Sequence, residues 1–121
     1  MNFKEKLGKE ILFFDGAMGT MLQARGLEAG ELPETWNVLH PDVIKNIHRE
    51  YLDAGCNIVK TNTFGVNRFK FDGSEYSVEQ LVKAGVSIAK QAIKESGKDA
   101  LAALDIGSLG KLLKPIGELS F

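Results

Sequence analysis

Three short apolar runs, each closed by a polar residue, recur along the chain at nearly constant spacing. They are Ile11–Phe14 before Asp15-Gly16, Asn57–Lys60 before Thr61-Asn62-Thr63, and Ala100–Leu104 before Asp105-Ile106-Gly107. Short continuous apolar runs suit strands buried on both faces, as in parallel sheets. The third run is alanine-rich and has the weakest strand propensity of the three. Their ends, at Asp15, Thr61 and Asp105, lie 46 and then 44 residues apart. That interval is long enough for a helical crossover between parallel strands.

Helical patterns fill both intervals. Pro41 suits a first helical position and Asp42 favours the positive end of the helix. Val43, Ile44, Ile47, Tyr51 and Leu52 then recur at helical spacing up to a stop at Gly55. In the second interval, Ser77-Val78-Glu79-Gln80 reads as a capping box, with Gln80 reaching back to Ser77. Leu81, Val82, Gly85, Ile88, Ala89, Ala92 and Ile93 form one apolar stripe that ends at Gly97. Gly85 within that stripe costs about 1 kcal/mol against alanine, so it marks a close approach of helix to sheet.

The order is therefore β–α–β–α–β, with parallel strands and right-handed crossovers. An open flavodoxin-like sheet and a closed (β/α) barrel both begin this way. Three strands cannot close a barrel, and a full barrel needs about 250 residues. The 121-residue chain ends in a loop-like segment, Gly107–Phe121, whose Leu112, Leu113, Ile116 and Leu119 have nothing after them to pack against. The expectation is a piece of something larger.

Composition removes several functional classes. Fifteen basic residues against 16 acidic leave a net charge of -1, with no basic patch to suggest nucleic acid or a membrane surface. The chain has one cysteine, Cys56, so it forms no internal disulfide, which suits a reducing cytoplasm. No signal peptide or membrane span is legible. The expected location is cytoplasmic.

Ligands of parallel α/β folds bind beyond the carboxyl ends of the strands. Topology would bring Asp15, Thr61-Asn62-Thr63 and Asp105 to one rim there. The first loop, Asp15-Gly16-Ala17-Met18-Gly19-Thr20, is small enough for a ligand to approach the backbone. A short helix starting near Met18 would leave amides for a carboxylate, and Asp15 would take a cation. Together they would form a socket for a zwitterionic amino acid, although a tight turn capped by Asp15 explains the same residues. Asn62 and Thr63 offer neutral hydrogen-bonding groups or caps, and Asp105 could orient an ammonium or hold its own loop. Cys56 falls at the start of a strand, the end away from such a site, and is expected to be a buried thiol. His48 is expected to be structural, His40 to cap or precede the Pro41 helix, and Trp36 to anchor the long connection.

These segments also resemble a known family. Asp15–Gln23, Pro33-Glu34-Thr35-Trp36-Asn37 with His40–Ile44, His48–Gly55, Lys60–Gly65, Asp105-Ile106-Gly107 and Gly110–Pro115 resemble, in order and spacing, the homocysteine S-methyltransferases. The similarity is greatest to the N-terminal homocysteine-binding module of the cobalamin-dependent methionine synthase branch. The resemblance implies a TIM (β/α)8 barrel, of which residues 1–121 would be the N-terminal part, with its first three β-strands and crossover helices. It also implies methyl transfer to homocysteine, a zinc ion held by three cysteines, and methylcobalamin as donor on another module. Cobalamin- and folate-binding modules would be its partners. Carried over by position, Asp15 would hold the substrate ammonium, amides of Gly16, Ala17 and Met18 its carboxylate, and Asn62, Thr63 and Asp105 the near wall. The family's zinc cysteines would lie beyond this chain, since Cys56 matches no ligand position. Ser108-Leu109 also replaces a common Pro-Thr-like pair. On this reading the chain alone transfers no methyl group. Betaine or S-methylmethionine would serve as donor in a sister enzyme. A non-catalytic assembly of partial barrels is the reading from a different functional class.

Overall fold

The computed structural model describes residues 1–121 and is built around a two-stranded parallel sheet. Strand β1 spans Ile58–Lys60 and β2 spans Leu101–Ala103, with Val59 opposite Ala102. Both lie inside the runs expected from sequence. Helices α1 (Phe3–Lys6), α2 (Gly19–Gln23), α3 (Trp36–Leu39), α4 (Pro41–Asp53) and α5 (Val78–Ser96) complete the order. A single 3-10 turn, Pro33–Thr35, leads into α3.

The first apolar run departs from expectation. Ile11–Phe14 forms no strand, and only Phe14 makes a parallel bridge, to Ile58. The Phe13 carbonyl accepts from the amides of Asn57 and Ile58, and the Asp15 amide donates to the Ile58 carbonyl. These bonds use one edge of β1, while Asn57 O and Thr61 N serve β2 on the other. Ile11, Phe13 and Phe14 are exposed. With three of its four side chains exposed and no strand paired beyond it, the run keeps only the pairing with β1 next to Asp15 and a bond from the Phe13 amide to Asn57 Oδ1 at 2.9 Å. The sheet is accordingly open, not a closed barrel, and the expected first strand is reduced to a bridge.

Helices α4 and α5 pack on each other and supply most of the core. Leu22, Leu27, Trp36, Ile44, Ile47 and Ile88 form one buried cluster; Leu52, Val59, Ala89 and Ala92 form a second against the sheet. Pro41 opens α4 as expected. His40 precedes it without a side-chain cap, its ring set edge-on to Trp36 at 4.5 Å between centroids. Ser77 caps α5 through the Gln80 amide, but the reciprocal bond of a capping box is not formed. Gly97 ends α5 in the left-handed conformation. Trp36 anchors the connection: it is buried, and its indole N–H donates to Glu31 at 2.8 Å. None of these helices is long and apolar enough to cross a membrane.

Gly85 meets the loop after β1 rather than the strand itself. A Cβ there would lie 2.8 Å from Thr63 Cγ2 and 3.0 Å from Asn37 Nδ2, both in buried residues. The missing side chain lets α5 sit directly on the segment that carries Thr61-Asn62-Thr63. Gly85→Ala gains about 1 kcal/mol of helix propensity but overpacks this contact, a cost of about 1–3 kcal/mol. The variant is expected to unfold at lower urea than wild type; a midpoint at or above the wild-type value would show that the contact is loose.

Candidate functional site

The ends of the parallel segments are fixed by polar side chains that bond across them. After β1, the hydroxyls of Thr61 and Thr63 bond each other at 2.7 Å. Thr63 Oγ1 reaches the Asp105 carbonyl at 2.7 Å, and the Asp105 amide donates to Thr61 Oγ1 at 3.1 Å. The loops after β1 and β2 are therefore joined by buried hydroxyls. Asn62 turns the other way. Its Nδ2 donates to Pro33 O and Asn37 Oδ1, both at 3.0 Å, while Asn37 Nδ2 returns a bond to Asn62 O at 2.8 Å. Buried amides arranged in this reciprocal way leave few polar atoms unpaired.

On the other edge, Asp15 is held beside β1. Its side chain is only 3% exposed and pairs with the Lys60 ammonium. Asp15 Oδ2 also accepts the Lys60 amide at 3.1 Å, and Lys60 Nζ donates to Asp15 O at 2.8 Å. The following turn rests on α4, where the Tyr51 hydroxyl donates to Ala17 O at 2.7 Å. Burial, followed by the nearby Asp15 charge, raises the Tyr51 pKa and keeps the phenol a donor. Arg25, just past α2, clamps the Glu50 carboxylate with bonds of 2.7 and 2.8 Å, tying this segment to α4 as well.

A cavity of about 300 Å³ opens between these segments. Of the residues named from sequence, Asp15, Gly16, Ala17, Met18, Asn62 and Asp105 line it. Thr63 does not; it is buried behind the wall and acts through its bonds to Thr61 and Asp105. Sequence reasoning passed over Lys60 and Glu34, which also line the cavity. Lys60 was legible as the single charged residue of its apolar run. Glu34 carried no local signal, because its burial comes from long-range packing: its Oε1 accepts the Gly65 amide at 2.7 Å. A Cβ on Gly65 would lie 2.6 Å from that oxygen, so the glycine permits the contact. Glu34 Oε2 is buried and has no partner.

Cys56 lies before β1, at the opposite end of the strand from Thr61. It is half-buried rather than fully buried as expected, and burial raises its thiol pKa, which disfavours the thiolate. No group of three or more His, Cys, Asp or Glu side chains is placed to hold a metal. The residues of this chain therefore do not fit a zinc ion. A cavity of about 300 Å³ suits a small molecule rather than a corrin.

Residues 12–121 match the homocysteine S-methyltransferase family. The chain belongs to that family. It is 36% identical over 114 residues to the methionine synthase of Mycobacterium tuberculosis, covering 86% of this chain and 9% of that protein. Identity is 33% over 101 residues to betaine–homocysteine S-methyltransferase 1 of Bos taurus, covering 78% of this chain and 24% of that one. Among solved structures, the metallated form of the homocysteine methyltransferase MmuM from Escherichia coli matches with a TM-score of 0.75 at 26% identity. That match covers 88% of this chain and 41% of the MmuM chain. The chain thus spans less than half the length of each of these relatives. Within the family frame, Asp15, Gly16 and the segment after β1 occupy the ends of adjacent parallel segments, where βα loops gather.

His48 sits on α4 below this floor, fully buried, with neither ring nitrogen hydrogen-bonded. Desolvation lowers its pKa from 6.5 to about 4, opposed in part by the Asp15 charge. It is structural in placement, as expected. A folded-state pKa below the unfolded value means the unfolded chain binds the extra proton. The folded state therefore loses stability as pH falls from about 6.5 toward 4. Wild type is expected to lose up to about 2 kcal/mol more than His48→Leu between pH 7 and pH 5, from the cost per pKa unit. Parallel pH profiles of the two proteins in urea titrations would show that His48 is not the group responsible.

Proposed function

We propose that the cavity binds the amino-acid end of homocysteine, as part of an enzyme that transfers a methyl group to the substrate sulfur. One observation carries this reading. In a chain of the homocysteine S-methyltransferase family, a buried carboxylate, Asp15, and the small-residue turn Gly16-Ala17-Met18 share one cavity of amino-acid size. A zwitterionic amino acid needs an anion for its ammonium and donors for its carboxylate. Asp15 would supply the first and the amides of Gly16, Ala17 and Met18 the second. Asn62 and Asp105 would form the near wall, with Thr63 holding that wall in place from behind.

On this proposal residues 1–121 form the N-terminal part of a homocysteine-binding (β/α) barrel, a reading supported by the match to part of the MmuM chain. Zinc activation of the thiol, implied by the family resemblance, calls for a cysteine set these residues do not form. The role left to this chain is to bind and orient. Fixing the ammonium and carboxylate leaves the substrate side chain free to present its sulfur outward, where positioning lowers the barrier to transfer. Methylcobalamin is the proposed donor, with cobalamin- and folate-binding modules as partners, a choice supported by the similarity to a methionine synthase. A betaine donor is the second reading, favoured by the similarity to betaine–homocysteine S-methyltransferase 1.

Asp15→Asn keeps the shape of the side chain and removes its charge. Losing a charge-assisted contact of about 1.5–3 kcal/mol is expected to weaken homocysteine binding at least tenfold. Calorimetric titration of both proteins checks this, with thermal melting run in parallel. Equal affinities would take Asp15 out of the substrate site.

A further inference from the structure

The cavity holds an imbalance of charge that the substrate reading leaves unexplained. Three acidic residues line it, Asp15, Glu34 and Asp105, against one basic residue, Lys60. The Asp15 carboxylate is already engaged on both oxygens, by Lys60 Nζ and by the Lys60 amide. An incoming ammonium therefore meets an ion pair rather than a free anion. Lys60 is the movable half of that pair. Its side chain is 36% exposed against 3% for Asp15, and it leaves the end of β1 over the Phe14 ring, with Nζ 5.5 Å from the centroid. Two of its three ammonium hydrogens are used, on Asp15 Oδ1 and Asp15 O.

We infer that Lys60 is the cationic contact for the ligand's α-carboxylate, and that binding proceeds by exchange of ion-pair partners. An α-amino acid carries both charges on one carbon, so it can span a single existing pair. Its ammonium takes Asp15 Oδ1 while Nζ keeps the Asp15 carbonyl and turns toward the ligand carboxylate. One ion pair becomes two, and no charge is left uncompensated in a partly buried site, where an unpaired charge is costly. A ligand with an ammonium but no carboxylate would displace Lys60 without offering it a partner. Lys60 would thus set selectivity for a free α-carboxylate, and would also screen the excess negative charge of Glu34 and Asp105 from that carboxylate.

This inference rests on the cavity being the amino-acid site, and the test separates the two. Homocysteine and its methyl ester, which keeps the ammonium but neutralises the carboxylate, are titrated calorimetrically into the protein and into Lys60→Met and Lys60→Arg. Wild type is expected to prefer homocysteine over the ester by about tenfold or more, the size of a charged hydrogen bond. Lys60→Met should lose most of that preference by weakening homocysteine alone, and Lys60→Arg should restore it. Should Lys60→Met weaken both ligands equally, or neither, the assignment of Lys60 fails while the amino-acid site stands. A wild type that binds homocysteine and ester alike overturns it without recourse to any variant. A wild type that binds neither ligand overturns the substrate reading itself, and Lys60 with it.

Discussion

The parallel pairing around β1 is the constraint on which the rest depends. Because Phe14 bridges Ile58 on one edge and β2 runs alongside on the other, three chain segments point the same way. Their ends therefore coincide, and Asp15, Lys60 through Thr63, and Asp105 meet although they lie far apart in sequence. An antiparallel neighbour would have carried one of these acids to the far end of the sheet. The regular ladder is short, three residues in each strand, so direction matters here more than the number of bonds.

The polar side chains at this end do what a longer ladder would otherwise do. Thr61 and Thr63 bond to the main chain of Asp105, and Asp15 bonds to the main chain and side chain of Lys60. Each pair stitches neighbouring segments together, and Asp15, Thr61 and Thr63 are themselves buried. Buried hydrogen bonds of this kind are modest in net energy but expensive to leave unmade. They hold the mouth in one shape while leaving the third Lys60 hydrogen without a partner. A group that is nearly satisfied, on a residue that lines a cavity, is suited to recognising a ligand that completes the pairing.

Helix packing explains why the wall does not collapse into this space. Helix α5 bears directly on the segment after β1 through Gly85, and Asn37 links that segment to the Leu81 carbonyl at the start of α5. Helix α4 supports the opposite side through Tyr51 and Ala17. The apolar side chains of the two helices stay below, around Ile44, Ile47, Ile88 and Ala89. Shape at the mouth is thus inherited from helix spacing.

Much of this was written in local pattern. The Pro41 start, the Ser77 cap, the Gly97 stop and the apolar stripes reflect short-range sterics and periodicity, and they fix two helices and two strands without reference to the rest of the chain. Polar residues placed just after apolar runs identified Asp15, Asn62 and Asp105 as residues of one rim, because parallel topology carries strand ends together. What escaped depends on contacts between distant residues. Ile11–Phe14 has strand-like composition but leaves three of its four side chains exposed and keeps a single bridge. Glu34 becomes part of the cavity only through a bond to Gly65, and Lys60 only through an ion pair with Asp15. Local pattern in the sequence determined helices α4 and α5 and located the two strands, since caps, stops and periodicity act over a few residues; tertiary structure decided that the first apolar run stays a bridge and which charges face each other, since both are set by where segments far apart in the chain come to rest.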